Sequence, residues 1–304
     1  MKYFVVSDVH SFYFDMVSSL LQAGYSKNNE SHTLIVNGDL FDRGPDAIKM
    51  YEFIREIPKE RRILIKGNHE QLILEAVKKE RPSKHDIHNG TVDTMLQLSE
   101  TPKTKMEMFF EEYFLFAIEE DLDKVSAVNK LWRKIVNHKR VKEVVSWLES
   151  DEWIEYYELD NLILTHAFIP LTVKDYDKTV ETLTYNDVYE YNPNWRETSK
   201  EVWKDARWGN PWAMYQAGLF SEEEKKGKTL VVGHWNTDDF YKHLNDNYSN
   251  RTDIYFSKGI IGLDGGVRKY QERYIYFCNV LVIDNGVLYD TFGDKLEWVK
   301  QRDF

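Results

Sequence analysis

The sequence predicts an α/β fold with a helical insertion, and three observations carry that expectation. Short apolar runs alternate with longer amphipathic ones over residues 1–80. Helical periodicity without strand signal fills 81–158, and strand character then returns and ends in an antiparallel hairpin. The first alternation is that of β-α-β units, with strands at 3–7, 33–37 and 62–66 and helices at 12–23, 46–56 and 70–79. Each strand runs into a polar cluster: SDVHS, GDLFDRG and GNHE. Open α/β sheets bind ligands beyond the carboxyl ends of their strands, so the three clusters are expected to meet in one crevice.

In the insertion, Met106, Phe109, Phe110, Tyr113, Phe114 and Ala117 follow helical spacing and read as a packing face rather than a cofactor box. Lys124, Lys130, Arg133, Lys134, Lys139, Arg140 and Lys142 read as a solvated helix face rather than a basic docking surface. Strands follow at 162–165, 229–232, 260–263 and 280–284. The last enters Asn285-Gly286, the dipeptide of a two-residue hairpin turn, and returns over 287–289. Residues 176–220 read as an irregular aromatic segment, with Trp195, Trp203, Trp208 and Trp212 expected to be buried. With no repeat and no flexible linker, 1–304 is expected to be one domain and 81–158 a helical cap inserted within it.

Composition narrows the function. The 304 residues are 42% hydrophobic and 30% charged, an ordinary globular balance. A net charge of −11 argues against a broad basic surface for nucleic acid. No apolar run spans a bilayer, and the start MKYFVVSDVH is too soon polar for a signal peptide, so no membrane and a cytoplasmic location are expected. The single Cys278 excludes an internal disulfide and a four-thiolate metal site, leaving His, Asp, Glu and Asn to bind any metal.

Those residue types gather at strand ends: Asp8 and His10, Asp39 and Asp42, Asn68 and His69, His166, and His234. A mixed nitrogen and oxygen donor set suits Mn, Fe or Zn better than Ca or Mg. Five other histidines, at positions 32, 85, 88, 138 and 243, lack such context and receive no role.

The ordered series Asp8-Val9-His10, Gly38-Asp39-Leu40-Phe41-Asp42-Arg43-Gly44, Gly67-Asn68-His69-Glu70, Thr165-His166-Ala167 and Gly233-His234 resembles the calcineurin-like metallophosphoesterases, most closely their phosphoprotein phosphatase branch of bacterial and phage type. The likeness covers 1–80 and roughly 160–290. It implies an α/β sandwich of mixed sheets flanked by helices, with two divalent ions, manganese first and iron or zinc as alternatives. The family pattern puts Asp8, His10 and Asp39 on one ion, and Asp39, Asn68, His166 and His234 on the other. Neutral Asn68 leaves the centre net positive, so a phosphate dianion is attracted. A bridging hydroxide would then attack phosphorus in line. His69 is the implied acid, Asp42 its orienting partner and Arg43 a phosphate clamp. A second clamp is usual in the family; Arg207 is the candidate and Arg196 the alternative.

Ser7 and Ser11 stand where the branch usually has glycine, and no histidine follows His234 two residues on, which favours the phosphatase branch over nucleases and phosphodiesterases. The implied substrate is a phosphomonoester, with phosphoserine or phosphothreonine in proteins first. The runner-up is symmetrical cleavage of diadenosine tetraphosphate, because His88-Asn89-Gly90 and Leu263-Asp264-Gly265-Gly266 resemble segments of bacterial and phage members with that activity. A silent metal-binding interaction module is the third reading, and the pair Asp42 and His69 weighs against it. Oligomeric state has no signal here.

Overall fold

The computed structural model describes residues 1–105, 122–176, 182–245, 250–270 and 273–297. The apolar face expected over 106–117 lies outside them. In chain order the strands are β1 (Lys2–Val6), β2 (His32–Asn37), β3 (Arg62–Ile65), β4 (Trp153–Ile154), β5 (Tyr156–Leu159), β6 (Leu162–Thr165), β7 (Leu171–Val173) and β8 (Tyr189–Tyr191). They continue with β9 (Thr229–Val232), β10 (Tyr255–Ser257), β11 (Ile260–Gly262), β12 (Asp264–Tyr270), β13 (Arg273–Cys278), β14 (Leu281–Asp284) and β15 (Val287–Tyr289). The helices that concern the site are α1 (Tyr13–Gln22), α2 (Ala47–Glu56), α3 (Asn68–Ala76), α4 (Lys84–His88), α5 (Thr91–Leu98), α6 (Leu122–Val136) and α7 (Lys139–Leu148).

Two mixed sheets stack face to face. One runs β15-β14-β1-β2-β3-β4 and the other β10-β11-β9-β6-β5. β1, β2, β3 and β4 are parallel, as right-handed β-α-β crossovers require, while β14 joins β1 antiparallel. Between the sheets Val5, Ile35 and Ile65 meet Leu164, Val231 and Ile261, all fully buried. Each such side chain contributes about 1.5–3 kcal/mol by leaving water. The outer face of the first sheet is covered by helices bearing Met16, Met50, Ile73, Met95, Trp132 and Val144. That of the second is covered by Trp195, Trp203, Phe220 and Phe240. The result is a helix–sheet–sheet–helix sandwich, the α/β class expected.

Three sequence expectations need correction. The region read as helical through residue 158 turns extended at β4 and β5. β4 adds only two residues beside Leu64 and Ile65, and all four residues of β5 are half-buried, so neither shows an alternating pattern. Residues 176–220 are less irregular than expected, since helices at Lys200–Ala206 and Pro211–Gln216 occupy much of the described part. Asn210 caps the second by accepting from Ala213 N at 3.1 Å. Burial holds for Trp195 and Trp203, but Trp208 is 41% exposed.

Helices α5, α6 and α7 pack into the same apolar cluster as α1–α3. Glu152 fastens the end of this region, gathering Lys59 Nζ at 2.8 Å, Arg55 Nη1 at 3.3 Å, Trp147 Nε1 at 3.3 Å and the Arg62 guanidinium. Burial works to raise its pKa, but the bonds from Lys59, Arg62 and Trp147 prevail and bring it down to about 2. Asn285 and Gly286 both adopt positive φ, 49° and 78°, the two-residue turn that their sequence predicts. No helix among the described residues is long and apolar enough to cross a membrane.

Candidate metal centre

The carboxyl ends of β1, β2, β3, β6 and β9 face one crevice, bringing donors from both sheets together. Asn37, fully buried at the end of β2, holds the sheets in register there: its amide donates to Thr165 O at 2.8 Å. Its own carbonyl accepts from Ser7 Oγ at 2.9 Å.

Asp39 lies at the centre, and its two oxygens face different partners. Oδ2 stands 3.8 Å from His10 Nε2 and 3.8 Å from His69 Nε2. Oδ1 stands 3.4 Å from His166 Nε2, which is itself 2.8 Å from Asn68 Oδ1. His10 Nδ1 donates to Phe41 O at 2.9 Å and His166 Nδ1 to Asn37 O at 3.1 Å. Each carbonyl therefore fixes a proton on Nδ1 and turns Nε2 toward carboxylate or amide oxygen, where the neutral His10 ring presents a lone pair. Acceptors that converge on acceptors fit a cation. The groups His10, Asp39, His69 and Asp39, His166, His234 each bring their ligand atoms within 4.8 Å of one another.

Protonation agrees with this. Burial, then the charges of Arg43 and His69, pull His10 well below the usual imidazole range. Burial and His166 bring His234 down to about 3. Both rings are neutral near pH 7 and free to ligate. His166 behaves oppositely: burial works against its charge, but Asp39 and Asp8 raise it to about 9. Asp39 is held well below the carboxylate range, against burial, by His166 and His69.

Asp8 is placed differently from the other expected ligands. It accepts from Ser7 Oγ at 2.5 Å, and from His234 N at 3.0 Å through each oxygen. It thereby ties the β1 and β9 loops together, and lies outside both convergent groups. Burial, with the Asp39 charge adding, pushes its pKa up to about 6.

His69 and Asp42, the expected acid and its orienting partner, are in direct contact. His69 Nδ1 donates to Asp42 Oδ2 at 2.8 Å, and Thr91 Oγ1 donates to the same oxygen at 2.7 Å. Burial lowers the pKa of His69, but Asp39 and Asp42 together outweigh it and the net shift is upward. Arg43 is exposed, with Nη2 3.2 Å from His69 Nε2. Arg207 is 5% exposed, pairs with Glu155, and donates to Gln71 Oε1 at 3.2 Å, leaving its Nε without a partner. Arg196 is committed elsewhere, to Glu158 and Glu223 over the Trp195 ring.

Several supports have no motif to announce them: Asn37, Thr91, and Tyr276, whose hydroxyl donates to Ser7 O at 2.5 Å. Glu70 stands inside its motif without an expected role. Fully buried, it accepts from Asp39 N at 3.0 Å, Leu40 N at 2.9 Å and Gly67 N at 2.8 Å, so one carboxylate holds two loops.

The backbone is strained where the donors sit. Among the described residues, Asp8, His10, Ser11, Asp39, Asp42, Arg43 and His234 all have φ between 46° and 74°. Such non-glycine positions cost about 1–3 kcal/mol each and persist where the surroundings over-determine them. Two glycines are required for space: a Cβ on Gly67 would overlap Asp39 Oδ1, and one on Gly233 would overlap Asp8 Oδ2 and Ser7 Oγ.

A family model for calcineurin-like phosphoesterases matches residues 1–259. A bis(5'-nucleosyl)-tetraphosphatase of the asymmetrical type from Bacillus subtilis (strain 168) is 28% identical over 120 residues, 37% of this chain and 48% of that protein. A symmetrical bis(5'-nucleosyl)-tetraphosphatase from Proteus mirabilis (strain HI4320) is 21% identical over 194 residues, 62% of this chain and 54% of that protein. The chain thus matches about half the length of these relatives. A cold-active protein tyrosine phosphatase shares the fold, with a TM-score of 0.51 at 14% identity over 97% of this chain and 79% of that one.

Proposed function

The chain belongs to the calcineurin-like phosphoesterase family, and from that premise we propose that it is a dinuclear-metal hydrolase acting on dinucleoside polyphosphates. The observation that carries the reaction class is Asp39, whose Oδ2 faces His10 Nε2 and whose Oδ1 faces His166 Nε2 with Asn68 beside it, so one carboxylate joins two groups of metal-binding side chains. Our assignment puts Asp8, His10 and Asp39 on one ion and Asp39, Asn68, His166 and His234 on the other. For Asp8 this requires a turn away from Ser7 Oγ. Paired divalent ions, manganese first with iron or zinc as alternatives, would supply Lewis-acid polarisation and neutralise charge on the phosphate oxygens.

The chain's own groups do the rest. Asp42, itself fixed by Thr91, keeps the Nδ1 proton and orients the His69 ring, so Nε2 points at Arg43 and Asp39. A phosphate entering between Arg43 and His69 accepts from both. The Asp42 carboxylate on Nδ1 favours the protonated ring, which delivers the Nε2 proton to the departing oxygen. Exposed Arg43 grips two phosphate oxygens as a planar fork. Arg207 can act as the second clamp once it leaves Glu155.

The relatives' names move dinucleotides ahead of phosphoproteins in our reading. Phosphomonoesters remain the second reading, since Arg43 lies exposed and grips a terminal phosphate whatever carries it. We read 1–304 as a single domain, with an insertion after residue 81 that is helical at α4–α7 and joins the main core before the chain turns extended at β4. The test offers the manganese-loaded protein diadenosine tetraphosphate and a phosphopeptide panel, with products separated by chromatography. ADP alone supports symmetrical cleavage, and ATP with AMP supports asymmetrical cleavage. Phosphate from peptides with the dinucleotide intact refutes the substrate.

A further inference from the structure

A cleft of about 990 Å³ opens beside the metal centre, at the upper end of the roughly 300–1,000 Å³ range of small-molecule sites. It is built from the chain segments that leave the centre. Phe168 and Pro170 follow His166, Trp235 follows His234, and Trp208 and Asn210 follow Arg207. Trp208 connects the two spaces. Its ring is 6.1 Å from the His234 ring and 6.0 Å from that of His85, a residue to which the sequence assigns no role, and it is 41% exposed.

The chemistry of the lining selects an occupant. No lysine or arginine is among the described lining residues, whereas Asp205 adds a carboxylate. A phosphate would be repelled there and is drawn instead to Arg43 and the centre. Aromatic faces suit a flat, uncharged ring, because stacking is insensitive to which ring is offered. Asn210 uses its Oδ1 on Ala213 N, which leaves its NH₂ to donate to a ring nitrogen, while Asp205 can accept from an exocyclic amine.

We propose that this cleft is a nucleoside subsite: it takes the base of a nucleotide whose phosphates lie on the metal centre, with Trp208 as the stacking platform. The inference rests on the dinucleotide reading above and deepens it, since it supplies the contact that separates a nucleotide from any other phosphate ester.

The test measures inhibition constants of ADP and pyrophosphate against hydrolysis of a small phosphomonoester, together with equilibrium dialysis of labelled adenosine against metal-free protein. In the native protein ADP is expected to bind at least tenfold tighter than pyrophosphate. Trp208→Ala should shrink that ratio by tenfold or more and abolish adenosine retention, and Trp208→Phe should restore most of both. Using the ratio removes any effect the substitution has on the neighbouring His234. A ratio that stays within twofold in Trp208→Ala, or adenosine retention independent of position 208, overturns the subsite. Failure of the parent reading is separate: it shows as no cleavage of diadenosine tetraphosphate by the native, metal-loaded protein.

Discussion

Replacing Glu70 by glutamine changes one atom in a fully buried side chain, and the structure lets its cost be worked out. The carboxylate accepts from three backbone N–H groups, two on Oε2 and one on Oε1. In glutamine one of those oxygens becomes an NH₂. With the amide oxygen kept toward Asp39 N and Gly67 N, the NH₂ meets Leu40 N–H, donor against donor. One buried N–H is orphaned and the other two bonds lose charge assistance, a total of about 2–4 kcal/mol. In a chain of this size that lowers Tm by roughly 3–6 °C. The melt should be followed by circular dichroism on metal-free protein, so that metal affinity does not contribute, and then repeated with manganese added. The loosened 38–40 and 67 loops should also weaken metal uptake. A Tm within about 1 °C of the native value and unchanged metal stoichiometry would show that Glu70 does not organise these loops.

Two further outcomes are expected. His69→Asn should retain two metals per chain by elemental analysis, yet slow substrates with alkoxide or phosphate leaving groups far more than aryl phosphates; equal slowing, or loss of one metal, would instead make His69 a ligand beside His10. Glu152→Gln tests acid stability. The folded pKa of Glu152, about 2, lies below the unfolded value of 4.5, so its contribution is fully present above pH 4.5 and lost as pH falls toward 2. Allowing for solvent screening, the variant should lose about 1–2 kcal/mol in urea unfolding at pH 7. It should also show a flatter decline between pH 4.5 and 2, and an unaltered decline would count against the ion-pair account.

The centre was largely legible because each donor follows a strand end directly, where side-chain identity and position in the fold coincide. Asp39, Asn68 and His166 converge as the motif order implies. Asp8, expected as a ligand, stands outside both convergent groups, and its bond from Ser7 Oγ depends on a serine where the motif pattern has glycine. What stayed hidden acts across long separations. Thr91 reaches Asp42 over 49 positions and Asn37 reaches Thr165 over 128, and neither pairing leaves a periodicity to read. In the fold, β6, β9 and β15 were legible to the residue because they are short apolar runs between clear turn signals. β12 escaped because Gly265 and Gly266 interrupt its pattern, and the register shifts between Asp264 and Val267.

Asn37 does more than satisfy a carbonyl. The donors Asp8, His10, Asp39 and Asn68 ride on one layer of the sandwich, and His166 and His234 on the other. Sliding one layer past its neighbour by a single residue, about 3.3 Å, would uncouple the two halves of the constellation at once. A pair of bound cations would therefore act as rivets between the layers, and the protein should resist shear most when it is ready for chemistry.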